Sequence, residues 1–199
     1  MIKLAVVTPV YGSLASASVS LGYHLAASDF NKYAADMEIL PYQLFVNADL
    51  CRSRSRGLEI SRRGGFSHTL FWDEDVVESG RVLLDTVHAM IEAKKDIVAA
   101  PYPHKTVFRR PTANGPYVPM GFTLVSLECA NKMARFYHEL TVKDDKCPTG
   151  EMVALFMQMI HEGYLLGEDF SFCQRALAIG LQTAVLDIPM LGHVGGMRY

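Results

Sequence analysis

The run Phe71-Trp72-Asp73-Glu74-Asp75-Val76 passes from apolar to acidic at a single peptide bond, and that junction constrains the fold more than any other stretch. His68-Thr69-Leu70-Phe71-Trp72 is apolar enough to be buried in a sheet. The acids then fall at the carboxyl end of a strand, where open α/β sheets bind ligands. Asp73 and Asp75 are two residues apart, so on an extended strand their carboxylates leave from one face and converge on a single divalent cation. An acidic turn or an exposed helix start has the same appearance, and the rest of the chain has to decide.

That remainder alternates strand and helix. Lys3-Leu4-Ala5-Val6-Val7-Thr8-Pro9-Val10 is a β-rich run closed by Tyr11 and Gly12, the form of a buried first strand that leaves residues 8–12 at the sheet's carboxyl edge. Residues 49–63 read as a helix ended by Gly64-Gly65, and the acid-bearing strand follows at once. Val82, Leu83, Thr86, Val87, Met90 and Ile91 fall on one face of a helix spanning 80–94. Strands are expected at 96–100, 122–125 and 183–186, and helices at 127–137, with Ala130, Met133, Ala134 and Tyr137 inward, and at 168–179. Residues 141–150 form the irregular stretch, and 152–160 fit strand and helix equally. The pattern predicts an α/β fold with a mixed, mainly parallel sheet flanked by helices.

A chain of 199 residues, 50% of them hydrophobic, buries a good core as a single domain, residues 1–199, without staples. The four cysteines are widely spaced and no apolar leader precedes them, which suits reduced thiols in a cytoplasm rather than a disulfide framework or a zinc ribbon. No apolar stretch is long enough for a membrane span. A net charge of −2 gives no general attraction to polyanions, so nucleic-acid binding would need a local basic patch.

Other side chains fall near the acids in this scheme. Arg54 precedes the acidic strand on a helix, and its guanidinium is placed to orient an acid or to meet a phosphate in bidentate fashion. Arg52 and Arg56 read as a solvated helix face. Glu168 and Asp169 open a helix, where the dipole favours their charge and where acids also serve as ordinary caps. His193 lies in Gly192-His193-Val194-Gly195-Gly196, as a metal ligand or as a plain loop histidine.

Taken in order, Val7-Thr8-Pro9-Val10-Tyr11-Gly12, Arg52-Ser53-Arg54, Phe71-Trp72-Asp73-Glu74-Asp75, Ala100-Pro101-Tyr102-Pro103-His104-Lys105, Gly121-Phe122, Gly167-Glu168-Asp169-Phe170-Ser171-Phe172-Cys173 and Gly192-His193-Val194-Gly195 resemble the GT-A-fold glycosyltransferases. The resemblance covers nearly the whole chain and is nearest to the small soluble enzymes of bacteriophage and bacterial genomes. Those relatives usually carry Arg-Asn where this chain has Arg54-Ser55.

The resemblance implies a GT-A-like, Rossmann-like fold and a nucleotide-sugar donor, by family default a UDP-sugar, held through its diphosphate by Mn²⁺ or Mg²⁺. Thr8, Pro9 and Tyr11 would line the base and ribose pocket, and Lys105 would add a point charge to the phosphates. Asp73 would meet the ribose or nucleotide side and join the metal residues, Asp75 would bind the metal, and His193 would be its late ligand. Asp169 is the expected general base of an inverting course, with Glu168 as the alternative. The acceptor hydroxyl belongs to a hydroxymethylated base in phage DNA, reached through the basic and aromatic run His104-Lys105-Thr106-Val107-Phe108-Arg109-Arg110-Pro111, or to a glycan or protein side chain. The same run also fits a loop that closes over the donor diphosphate. A nucleotidyltransferase and a non-catalytic nucleotide-sugar-binding module are the competing classes. Oligomeric state is not readable.

Overall fold

A computed structural model describes residues 1–11, 17–46, 49–103 and 115–193, with the side chains of 11, 17–22 and 41–46 outside that description. The elements run β1 (Ile2–Tyr11), α1 (Ala17–Tyr33), β2 (Met37–Val46), α2 (Leu50–Arg63), β3 (His68–Trp72), α3 (Gly80–Glu92), β4 (Ile97–Ala99), β5 (Phe122–Ser126) and α4 (Leu127–Phe136). They continue through β6 (Thr141–Lys143), β7 (Glu151–Val153), β8 (Met159–His161), β9 (Tyr164–Leu166), α5 (Glu168–Ala178) and β10 (Thr183–Val185).

Among these residues, six strands form one sheet in the order β10-β4-β5-β3-β1-β2. β1 is parallel to β2 and β3, and β10 to β4, while β5 is antiparallel to both of its neighbours. The carboxyl ends of β1, β2, β3, β4 and β10 therefore share one edge, and β5 brings its amino end, Phe122, to the same edge. Two small hairpins, β6-β7 and β8-β9, stand apart from the sheet. The sheet is thus mixed, mainly parallel and flanked by helices, as the sequence predicts.

Period-two alternation divides the core between the two faces. Val7, Phe71, Ile97, Ala99 and Val125 pack beneath α2, α4 and α5 with Leu58, Met133 and Phe172. Leu4, Val6, Leu70, Trp72, Val98, Phe122 and Leu124 pack under α1 and α3 with Tyr23, Phe30, Leu83 and Met90. Leu70, Phe71 and Trp72 are at most 1% exposed, so β3 is buried on both sides. Each such side chain stabilises by about 1.5–3 kcal/mol relative to exposure, so a one-residue slip of β3 is costly.

Three helices begin at side-chain caps. Asp49 accepts from the Arg52 amide at 3.0 Å and starts α2, Ser79 accepts from Val82 and starts α3, and Ser126 accepts from Cys129 and starts α4. The inner face of α3 differs from expectation by one position: Leu84 is buried and Val82 is 43% exposed. The ambiguous stretch 152–160 resolves into strand ends and turn, without a helix, and β6 occupies the start of the expected irregular segment. Among the described residues no helix is long and apolar enough to cross a membrane.

Candidate functional site

Arg54 lies at the centre of the edge where the acids end. Its position on α2 is 2% exposed, and Nη2 donates to both oxygens of Asp73 at 2.9 and 3.0 Å while Nη1 donates to Glu168 Oε1 at 2.7 Å. One guanidinium thus ties the middle helix, the end of β3 and the start of α5, three segments distant in sequence. Burial alone would lower its pKa, but the charges of Asp73 and Glu168 outweigh that and hold it above the ordinary arginine range. Its Nε has no hydrogen-bond partner among the described residues.

Both acids lie beyond the strand. β3 ends at Trp72 and the chain turns, with the Val76 amide donating to Asp73 O at 3.0 Å and Trp72 Nε1 donating to Val76 O at 2.8 Å. The same-face argument for Asp73 and Asp75 therefore fails, because these residues leave the extended strand. Asp75 instead approaches His193, with Oδ2 at 3.1 Å from Nε2. Val76 and His193 form an antiparallel bridge, and the Val77 amide donates to Gly192 O at 3.0 Å. A Cβ at Gly192 would fall 2.3 Å from Val77 O, so only glycine permits this approach.

Tyr102 completes this side. Its ring stacks on His193 with centroids 5.8 Å apart and planes 3° from parallel, and its hydroxyl accepts from the Gly121 amide at 3.0 Å. Burial, reinforced by the charge of Asp73, pushes the Tyr102 phenol well above its usual pKa and keeps it protonated. Asp73's own amide donates to Gly121 O at 2.8 Å, so β5 braces the acidic turn.

The remaining expected residues are placed as follows. Thr8 is fully buried with its hydroxyl 2.6 Å from that of Tyr23, and Pro9 is buried beside it at the carboxyl end of β1. Tyr11 ends β1, and its side chain lies outside the described residues, as do Lys105, the whole basic run from His104 to Pro111, and Gly195-Gly196. Asp169 turns its Oδ1 to the Phe170 amide at 2.8 Å and so caps α5 in part, whereas Glu168 is engaged by Arg54 and does no capping. Among the described residues no three His, Cys, Asp or Glu side chains gather closely enough to hold a metal ion.

Beside Asp169 opens a cleft of about 500 Å³ between Tyr117 and Phe170 on one side and the β8-β9 hairpin on the other. Neither that cleft nor the place of Tyr102 was evident from the sequence, although Glu162-Gly163 between apolar residues is a hairpin signal. Arg56 requires correction: it is 7% exposed and bonds Asp144 at 2.7–3.2 Å rather than water. The reason is that α2 packs on the sheet, α4 and β7 together, leaving little of its surface free. Arg52 is exposed as expected.

No protein-family model and no curated protein matches this chain. Its fold is similar to solved glycosyltransferases. Residues 1–349 of S. aureus TarS align over 96% of this chain and 59% of that chain, at 12% identity and a TM-score of 0.52. The same TarS segment in complex with UDP-GlcNAc gives 13% identity, a TM-score of 0.52 and coverage of 96% and 57%. A glycosyltransferase involved in glycosylation of the major capsid of PBCV-1 gives 9% identity, a TM-score of 0.51 and coverage of 94% and 82%. The chain thus spans less than two thirds of the TarS segment. At such identities the likeness establishes the fold, which is GT-A-like.

Proposed function

We propose that this GT-A-like chain moves a sugar from a nucleotide-sugar donor, a UDP-sugar by analogy with the UDP-GlcNAc complex of TarS, to an acceptor hydroxyl. The observation that supports this most is the meeting of Asp73, Glu168 and Arg54, with Asp75 and His193 alongside, at the one sheet edge where α/β folds bind ligands. Carboxylates outnumber the described cations there, so the edge favours a bound positive charge.

Though no three such side chains gather among the described residues, a divalent ion at this edge would be Mn²⁺ or Mg²⁺, met by carboxylate oxygen and one imidazole. Asp75 and His193 are the residues that would hold the ion, with Asp73 behind them. When bound, the cation supplies positive charge against the leaving diphosphate.

The protein's own groups do the rest. Arg54 fixes the Asp73 carboxylate toward the nucleotide, and Thr8, Pro9 and Tyr11 flank the base and ribose, with Lys105 as a charge for the phosphates. In an inverting course the acceptor oxygen bonds the anomeric carbon as that carbon's bond to the diphosphate oxygen breaks. The bonding pair leaves with the diphosphate, and the acceptor proton passes to Asp169. Asp169 is the better base than Glu168, because Asp169 lines the open cleft and Glu168 does not.

Thermal stability measured across a panel of nucleotide sugars, with Mn²⁺, Mg²⁺ or chelator, tests the proposal. One donor is expected to stabilise the protein by about 2.7 kcal/mol at a hundred times its Kd, only with metal, and not in Asp75→Ala. Absence of stabilisation by every donor, with the fold intact, would overturn it.

A further inference from the structure

We infer that the acceptor is a saccharide whose ring lies in the cleft between Tyr164 and the Tyr117–Phe170 pair; this rests on the donor reading given above and extends it to the second substrate. The cleft begins at Gly167 and Asp169, next to the Glu168 that Arg54 binds, so an acceptor hydroxyl in it is delivered directly to the proposed base. Its volume, about 500 Å³, falls within the range of about 300–1,000 Å³ that accommodates a small organic ligand.

The walls suit a sugar ring. Tyr117 and Phe170 stack at 5.7 Å with planes 28° apart, and the Tyr117 hydroxyl donates to Gln174, which fixes the ring. Such a surface meets the C–H face of a pyranose, while His161 and Asp169 are the polar groups within reach of its hydroxyls. Opposite stands the β8-β9 hairpin, where Tyr164 is 60% exposed and Leu165 70% exposed. Register pairs His161 with Tyr164 across the hairpin, and both line the cleft.

This apolar exposure is held in place. Glu162 and Gly163 both have positive φ and close the hairpin in a two-residue turn. Ser171 Oγ accepts from the Met159 amide and donates to Leu166 O, each at 3.1 Å. Arg175 Nη1 donates to Leu155 O and Met157 O at 2.9 and 2.6 Å, bracing the segment that leads into the hairpin. A lip of apolar side chains on so well anchored a strand pair is a preorganised contact surface.

The lining narrows the class. Its described residues hold three aromatic rings with one carboxylate, Asp169, and one imidazole, His161. Such a wall meets a saccharide ring through C–H faces and a few hydroxyl contacts, and neutral saccharides are the simplest members of that class to test.

The experiment is saturation-transfer NMR on the full chain with UDP and Mn²⁺ or Mg²⁺ present, using neutral di- and trisaccharides of glucose, galactose, mannose and N-acetylglucosamine beside a short duplex DNA. UDP binding is followed separately by thermal shift. At least one saccharide is expected to receive saturation at its ring C–H protons, with affinity about tenfold weaker in Tyr164→Ala and retained in Tyr164→Phe. If UDP binds but no saccharide does, if duplex DNA binds in their place, or if Tyr164→Ala leaves saccharide affinity unchanged, the saccharide acceptor is wrong while the donor reading stands. If neither UDP nor any nucleotide sugar binds, the donor reading fails and this inference fails with it.

Discussion

Arg54 and Arg56 stand two residues apart on α2, and both are buried. Arg56 meets one carboxylate, Asp144, through three hydrogen bonds, and Asp144 also accepts from the Lys146 amide, so charge and lone pairs are matched. Arg54 instead divides its guanidinium between two carboxylates, feels the charge of a third in Asp169, and leaves Nε without a partner among the described residues. The acids differ too: the Asp144 side chain is 2% exposed, those of Asp73 and Glu168 20%. Burial of an ion pair therefore does not mark a functional site. A buried cation outnumbered by partly exposed carboxylates instead leaves negative charge that a further cation would neutralise, which is what the proposed donor site requires.

The largest expected effect falls on the matched pair. Arg56→Leu strands Asp144 in the interior and should cost about 3–5 kcal/mol in urea denaturation, with most of the loss recovered in Arg56→Leu/Asp144→Leu. Donor-dependent stabilisation should survive in the double variant. Arg54→Leu should show the reverse division. Asp73 and Glu168 can rehydrate, so stability falls by only about 1–3 kcal/mol, but stabilisation by a nucleotide sugar is lost. Equal stability losses with donor binding kept in both would erase the distinction.

Tyr102→Phe, which removes the acceptor of the Gly121 amide but keeps the ring over His193, should lower stability by about 0.5–1.5 kcal/mol. Its metal-dependent donor binding should change little beside that of Asp75→Ala, and a thermal shift series in Mn²⁺ checks both.

The smallest expected effect is in acid. Asp144 is held below its usual pKa because hydrogen bonds from Arg56 overcome its burial, and Glu59 likewise through Arg62 and Arg63. A carboxylate whose folded pKa is depressed contributes stability that is complete above the unfolded value, about 4, and lost as pH falls through the folded one. Stability should therefore decline below about pH 4, and the part due to Asp144 should vanish in the double variant. Denaturation midpoints between neutral and acid pH measure this.

Much of the scaffold was readable because it rests on local rules. The helices expected at 49–63, 80–94 and 127–137 are present, and the apolar run of β3 is an interior strand as expected. β2 escaped notice because Pro41 interrupts it, which a sheet tolerates at its edge, and β2 is the edge. The turn that takes Asp73 and Asp75 off the strand was unreadable because it depends on where β3 stops, and the Trp72–Val76 hydrogen bond found there involves neither acid. Arg56 and Asp144 are 88 residues apart, and no local pattern joins them.

Trp72 is the chain's single tryptophan, 1% exposed among Tyr23, Phe30 and Phe122, and its indole N–H donates to the carbonyl of Val76, the last residue of the acidic turn. The molecule thus carries its own optical gauge, one residue from Asp73. Emission from one fluorophore, with no competing tryptophan to subtract, reports whether that turn tightens or opens as a cation or nucleotide arrives.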